Sequence, residues 1–325
     1  MNVIVFGGAG FVGRHLSREL IKNGHDVIIC DNLHIRPEGP IPSEAEFFKK
    51  DAGSVNQTAI LFNRFRPEVV FWLVAHQGYR RGWAKYARTN IAAVYSLFEA
   101  INRINGYRPE LIVHASSQAI YTPTVNAKED SSARPFSIYG KTKIQQEDAF
   151  RLLHGDIRVV GMRYSIILGA GQSLQTTETG VLRNWLFNAV QNKPPLVYGD
   201  GLQIRDFVHI EDVTRANIKA MEVVNSAFGK FTNFNISGPA ISIGELSKIF
   251  CKHFEGALPE STNSAIRPGG EYTLTSSSER AKEYLDWEST HTIEEMVRDF
   301  VEFGKKKVDS TLVQFDASFE ESNGK

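Results

Sequence analysis

Two cysteines in 325 residues exclude a disulfide framework, and Cys30 and Cys251 match no metal-ligand spacing, so no metal is expected. Cys30 falls in an apolar run, where a free buried thiol is the expected state. Net charge is missing as well. Lys plus Arg and Asp plus Glu both total 37, which removes the electrostatic reason to expect nucleic acid or an anionic membrane as partner. No apolar stretch approaches the ~18 residues of a membrane span. The N-terminus reads as strand from its second residue rather than as a leader. A soluble, cytoplasmic protein is the expectation.

What is present is an ordinary globular composition, 42% hydrophobic, in a chain long enough for two lobes. Short apolar runs at Val3–Phe6, Val27–Cys30, Val69–Val74, Leu111–His114 and Arg158–Met162 read as buried strands. Helical patterns lie between them, near 11–23, 55–65, 84–104 and 137–153. Continuous apolar strands alternating with helices predict a doubly wound α/β fold with a parallel sheet covered on both faces. After Arg163 the pattern loosens, with helices near 180–192, 211–224, 242–254 and 293–304. The expected division is a dinucleotide-binding domain over 1–164 and a smaller substrate lobe over 165–325. The last twenty or so residues are mostly polar and are expected to be poorly ordered.

Gly7-Gly-Ala-Gly10-Phe-Val-Gly13 joins the first strand to the first helix. Three spaced glycines let a backbone turn tightly, approach a pyrophosphate and pack a helix on a sheet, with the helix N-terminus facing the phosphates. Phe11 and Val12 complete that first turn. Asp31 ends the second strand 18 residues after Gly13. A carboxylate there bonds ribose hydroxyls and repels a 2′-phosphate, so NAD is expected over NADP. Asn32 beside it, and Asp51 with Ala52 after the third strand, are further candidate cofactor contacts.

Tyr139 and Lys143 stand four apart, 22 residues beyond Ser117. Residues four apart share a helix face, so the Lys143 ammonium can lie beside the Tyr139 phenol. A free tyrosine titrates near ~10. A neighbouring cation stabilises the phenolate and brings that value toward neutrality, which suits a general base.

With these residues in view, the chain resembles the extended short-chain dehydrogenase/reductases, in particular the NAD-dependent nucleotide-sugar epimerases and dehydratases (UDP-galactose 4-epimerase-like). Coverage runs from Gly7 to about Phe303. Val113-His-Ala-Ser-Ser117-Gln-Ala-Ile-Tyr121 is similar to the family's serine strand, and Tyr198 to Val213, with Arg205-Asp-Phe-Val-His-Ile-Glu-Asp212, to its second signature. The resemblance implies a catalytic set of Ser117, Tyr139 and Lys143, the last two also touching NAD. It implies that Arg205 and the Arg267-Pro-Gly269 segment clamp a substrate diphosphate, as guanidinium forks suit phosphate oxygens. Arg80 and Gln118 are added as candidate sugar-side contacts, and Asn90, Asp206 and Asp212 as residues that hold the fold. A nucleotide-diphosphate sugar is the implied partner, and a homodimer built from two helices of each subunit the implied assembly.

Dehydrating members of the family carry an acid–base pair after the catalytic Ser/Thr. Gln118 and Ala119 occupy those positions here and transfer no proton at neutral pH. That leaves a 4-epimerase, with an NAD(P)H-dependent 4-keto-sugar reductase and a non-catalytic NAD-binding relative as alternatives. Ile166 replaces the family's common asparagine in Arg-x-x-Asn, and the nucleotide stays open among UDP, dTDP, GDP and CDP.

Overall fold

Seven parallel strands form the frame of the molecule in the computed structural model, which describes residues 1–77, 83–174, 180–222, 229–255, 261–263 and 273–311. In chain order the elements of the first lobe are β1 (Asn2–Phe6), α1 (Phe11–Lys22), β2 (Asp26–Asp31), β3 (Glu46–Lys49), α2 (Val55–Phe65), β4 (Val69–Trp72), α3 (Trp83–Tyr86), α4 (Ala93–Asn102), β5 (Leu111–Ser117), α5 (Ile138–Leu153) and β6 (Arg158–Tyr164). There follow β7 (Ile166–Leu168), α6 (Val181–Val190), β8 (Leu196–Tyr198), β9 (Ile204–His209), α7 (Ile210–Glu222), β10 (Phe231–Ile236), β11 (Ala240–Ser242), α8 (Ile243–His253), β12 (Ser261–Asn263), α9 (Glu279–Leu285) and α10 (Ile293–Thr311).

The large sheet runs β10-β6-β5-β4-β1-β2-β3. Strand order therefore reverses between β1 and β4, and ligands of such sheets bind at the carboxyl ends on either side of that point. Alternation along each strand explains the two covered faces. Val3, Val5, Ile29 and Phe71 pack with Leu16 and Leu20 of α1 and Val213 of α7. Their neighbours Ile4, Phe6, Ile28 and Trp72 pack with Phe62 of α2, Leu97 of α4 and Phe150 of α5. A separate core of Leu168, Trp185, Leu186, Phe207, Phe250, Met296 and Phe300 holds the second lobe around the sheet β11-β9-β7. Among the described residues no helix is long and apolar enough to cross a membrane.

The expected fold class is observed, with differences of detail. The chain crosses the 164/165 division, because β10 lies beyond it in sequence yet pairs along β6 at the edge of the large sheet. The helical track expected over 84–104 contains a π-helical turn at Ala87–Ala92 and ends at Asn102. Asn90 in that turn is fully buried, where its amide bonds His76 and Thr142. Widened turns of this kind re-aim a side chain inward. Helix α10 continues to Thr311, past the expected end near 304. The remaining tail, 312–325, lies outside the described residues.

One buried polar knot fastens the site-bearing elements. Glu147 of α5 accepts from Arg163 of β6 through both oxygens, at 2.9 and 2.8 Å, and from Ser116 of β5 and Asn233 of β10. Burial raises the Glu147 pKa, but the Arg163 guanidinium more than offsets it and the net direction is down. Arg163 also donates to the Tyr121 hydroxyl and the Glu129 carbonyl, both at 2.8 Å. Breaking such a pair from one side strands a buried charge. Glu147→Ala is expected to lower unfolding stability by about 3–5 kcal/mol, and Glu147→Leu with Arg163→Met by clearly less. Urea unfolding of the two variants checks the order.

Candidate active site

The first strand ends in the glycine loop, and its glycines have separable duties. Gly7 has φ +77°, a left-handed turn that favours glycine, and sits against the Leu73 backbone. A Cβ at Gly13 would lie 2.4 Å from the Gly7 carbonyl oxygen, so this glycine lets α1 press onto the loop. Gly10 differs: a Cβ there would meet only the Gly7 oxygen, at 3.1 Å. Gly10 is the N-cap of α1 and offers no side chain to cap it. The helix start thus presents its donors to open space, as a diphosphate requires. Phe11 and Val12 are half-buried in the same turn.

Asp31 stands beside this opening. Its Oδ2 accepts from Ala9 N–H at 3.1 Å and its Oδ1 from Leu33 N–H at 2.8 Å. Burial raises its pKa and the two backbone donors oppose that. The carboxylate is therefore held in place between the glycine loop and the end of β2. Asn32 caps the same turn, accepting from His34 N–H. Asp51 is exposed and accepts from Gly53 N–H, while Ala52 is buried beneath it. These residues form a continuous rim along the ends of β1, β2 and β3.

The catalytic candidates come together two strands further along, past β4. Ser117 is the last residue of β5, where its Oγ accepts from Ala119 N–H at 3.1 Å. Helix α5 is capped by Ser137, whose Oγ accepts from Gly140 N–H at 3.0 Å. A Cβ at Gly140 would fall 2.1 Å from the Ala119 carbonyl oxygen. The missing side chain brings the first turn of α5 directly onto the turn that follows Ser117. Tyr139, half-buried, rides on that turn. Lys143 is 1% exposed, with its Nζ 5.7 Å from the Tyr139 ring centroid. It donates to the Ala115 carbonyl at 2.8 Å and to Gln146 Oε1 at 2.9 Å. Burial lowers the Lys143 pKa to about 7, with Glu147 opposing.

Other expected contacts fare differently. Arg205 lies on β9, half-buried, with its Nη1 donating to the Ile204 carbonyl. Gln118, expected at the substrate, is buried instead. It accepts from Ser276 Oγ at 3.3 Å and bonds Asp206, in the seam between the lobes. Asp206 and Asp212 hold the fold, as expected. Asp212 alone accepts from Ser289, Thr290 and His291. Arg80 and Arg267 lie outside the described residues. Sequence reasoning misses Glu147 as the anchor of α5; its position four residues after Lys143, on the same helix face, is the available signal.

Fold and site together define a dinucleotide-dependent α/β protein with a Ser–Tyr–Lys set at the strand ends. Residues 3–237 match the NAD dependent epimerase/dehydratase family, and the chain belongs to that family. NAD is accordingly its cofactor, and the open Gly10 cradle with the fixed Asp31 carboxylate fits it. A relative from Methanocaldococcus jannaschii, provisionally named a UDP-glucose 4-epimerase, is 31% identical over 313 residues, 93% of this chain and 98% of its own. A dTDP-L-rhamnose 4-epimerase of Burkholderia thailandensis is 28% identical over 312 residues, 82% and 85% of the two chains. Among solved structures, the UDP-glucose 4-epimerase of Thermotoga maritima with UDP-glucose superposes with a TM-score of 0.84 at 28% identity, covering 95% of this chain and all of that one.

The glycine geometry makes a contrast that can be measured. Gly10→Ala is expected to weaken NAD binding by about tenfold or more while lowering the ligand-free melting temperature clearly less than Gly13→Ala does. Gly13→Ala is expected to destabilise the ligand-free protein by about 1–3 kcal/mol, because backbone must move to admit the methyl. Calorimetric titration and thermal unfolding of both variants check it.

Proposed function

We propose that the chain is an NAD-dependent nucleotide-sugar 4-epimerase acting on a UDP-hexose. The carrying observation is that Ser117, Tyr139 and Lys143 come together at the end of β5, while the one acid beside them among the described residues, Glu147, is buried and tied up by Arg163. Gln118 is turned into the lobe seam and Ala119 has no polar side chain, so the site is equipped for carbinol oxidation and reduction but not for elimination of water. UDP is favoured by the names of the most similar relatives, with dTDP the second nucleotide because of the Burkholderia thailandensis relative.

Bound NAD supplies the hydride acceptor, and later donor, at the sugar C4. Tyr139, as phenolate, takes the proton of the 4-hydroxyl and returns it at the end. Ser117 Oγ bonds the same oxygen and keeps it in place as alcohol becomes ketone. The Lys143 ammonium stabilises the phenolate and reaches the nicotinamide ribose. Arg205, together with Arg267, tethers the diphosphate, about which the 4-keto sugar turns its other face toward the same groups. Arg80 supports the sugar side, and residues 165–325 supply most of the nucleotide-sugar contacts. Asp31, Asn32, Asp51 and Ala52 hold the adenosine end.

The functional unit in this reading is a homodimer formed through α4 and α5. Trp83 and Leu152 are 74% and 79% exposed, and Tyr95, Ile138 and Leu153 on α4 and α5 are exposed as well. A cavity of about 370 Å³ opens between the two helical tracks, lined by Trp83, Tyr86, Ile91, Phe136 and Ile138. Apolar patches of this extent favour a partner surface. Sedimentation is expected to give a dimer for the native chain and a monomer for Leu152→Asp. A native monomer at micromolar concentration would sink the assembly.

The activity is tested by incubating the protein with UDP-, dTDP-, GDP- and CDP-hexoses and no added cofactor, following the ring protons by NMR. A new 4-epimer is expected from a UDP-sugar. Tyr139→Phe is expected to lose a factor of about 10²–10⁴ in turnover with its fold intact. Reduction of a 4-keto sugar only when NADH or NADPH is supplied would reassign the chain as a reductase.

A further inference from the structure

Helix α5 carries one more polar residue on the face that bears Tyr139 and Lys143, and the proton and hydride transfers give it no part. Gln146 stands three residues beyond Lys143, and Tyr139 four residues before it. Residues three and four apart share a helix face, so the phenol and the Gln146 amide flank the lysine from opposite ends of the helix. Gln146 is fully buried. Its Oε1 accepts from Lys143 Nζ at 2.9 Å, and the Ala115 carbonyl of β5 accepts from the same Nζ at 2.8 Å.

An ammonium has three donors and no acceptor. Two of the Lys143 donors are thus taken by neutral oxygens. The third is left for the side of the phenol, whose ring centroid lies 5.7 Å from Nζ. The ammonium also fixes which end of the amide faces it, since only Oε1 accepts. The other end, Nε2, is buried without a hydrogen-bond partner. A buried amide left half-satisfied costs stability. An apolar side chain would fill the same volume without that cost, so the oxygen is what this position uses.

The charges around Nζ show why a neutral acceptor matters. Burial lowers the Lys143 pKa to about 7, and Glu147 opposes it. Glu147 is itself held by Arg163 through both oxygens. Burial keeps His114 of β5 neutral, with its pKa down at about 3. On β6, Tyr164 faces α7, where it bonds Asn217, and Arg158 stands at the opposite end of the strand. Lys141, Asp148 and Arg151 of α5, and Arg88, Tyr95 and Glu99 of the helical segments packed on it, are exposed. A carboxylate at position 146 would neutralise the ammonium and withdraw its field from the phenol. An apolar side chain would leave the buried charge with one acceptor fewer and favour the neutral amine. An amide carbonyl does neither.

We propose that Gln146 is a positioning residue for the reaction: its oxygen holds the Lys143 ammonium in place without cancelling its charge, which stays available to the Tyr139 phenolate. The inference rests on the Tyr139–Lys143 chemistry of the proposed function. It adds a residue that acts through the lysine.

The test follows the Tyr139 phenol directly. The NAD-loaded full chain, carrying carbon-13 at tyrosine Cζ, is titrated by NMR, and the Tyr139 signal is assigned by its absence in Tyr139→Phe. The native midpoint is expected below the ordinary ~10. Gln146→Glu and Gln146→Met, both close to glutamine in size, are each expected to raise it by about one pH unit or more. In Gln146→Glu the acid limb of kcat with a UDP-hexose moves up in parallel. Melting temperature and NAD binding show that the fold is kept; if Gln146→Glu does not fold, the neutral Gln146→Met decides alone. A midpoint unmoved in the folded variants, or a native Tyr139 that titrates near ~10, overturns the proposal. A native chain that makes no 4-epimer while its phenol shifts as expected contradicts the 4-epimerase reading and upholds the role of Gln146.

Discussion

The seating of α5 on the large sheet is the constraint on which the rest of the site depends. A lysine that is 1% exposed is unfavourable by itself. Here the Ala115 carbonyl and Gln146 Oε1 accept its hydrogen bonds, and Glu147, one turn on, is locked to Arg163. The pair joins α5 to β6, and Ser116 and Asn233 extend it to β5 and β10. Tyr139 can therefore be held beside the end of β5 only if this knot is intact. A buried ion pair is seldom the most stable filling for such a place. Its value here is geometric: it allows one rotation and one height for the helix that carries the tyrosine and lysine.

The glycine loop solves the complementary problem at the other side of the crevice. Backbone packing demands glycine at Gly13 and conformation favours it at Gly7. At Gly10 the conformation is ordinary and a Cβ would press only on the Gly7 carbonyl oxygen, at 3.1 Å, so the remaining space is open to a ligand. Asp31 then fixes the far edge, with both oxygens held by backbone donors. The rim at the ends of β1 to β3 and Ser117 at the end of β5 belong to one sheet, with β4 between them, and α5 carries Tyr139 and Lys143 onto that end.

Much of this architecture is legible in the amino-acid sequence. Runs of apolar residues mark β1, β2, β4, β5 and β6, because a strand covered on both faces needs no polar alternation. The spacing of Tyr139 and Lys143 places both on one helix face. The hidden parts are those made by contacts remote in sequence. β10 returns to β6 from beyond the expected division, and its short run Phe231–Ile236, with two asparagines, does not read as a core strand. Asn233 and Asn235 are there because they complete the Glu147 and Tyr121 bonds. Gln118 reads as a substrate contact by position, yet the fold of the second lobe brings Ser276 and Asp206 to it. His209 and His291 are far apart in the chain, and nothing in their spacing announces that they stack.

The central claim is that C4 of the sugar is oxidised and re-reduced within one active site, with Tyr139 carrying the proton. The most direct measurement is the fate of deuterium placed at C4 of the nucleotide sugar. The account predicts that the 4-epimer retains the label at C4 in unlabelled water, with none passing to a second, unlabelled sugar present in the same tube. Loss of the label to solvent would mean that the C4 hydrogen leaves as a proton, and would contradict the account.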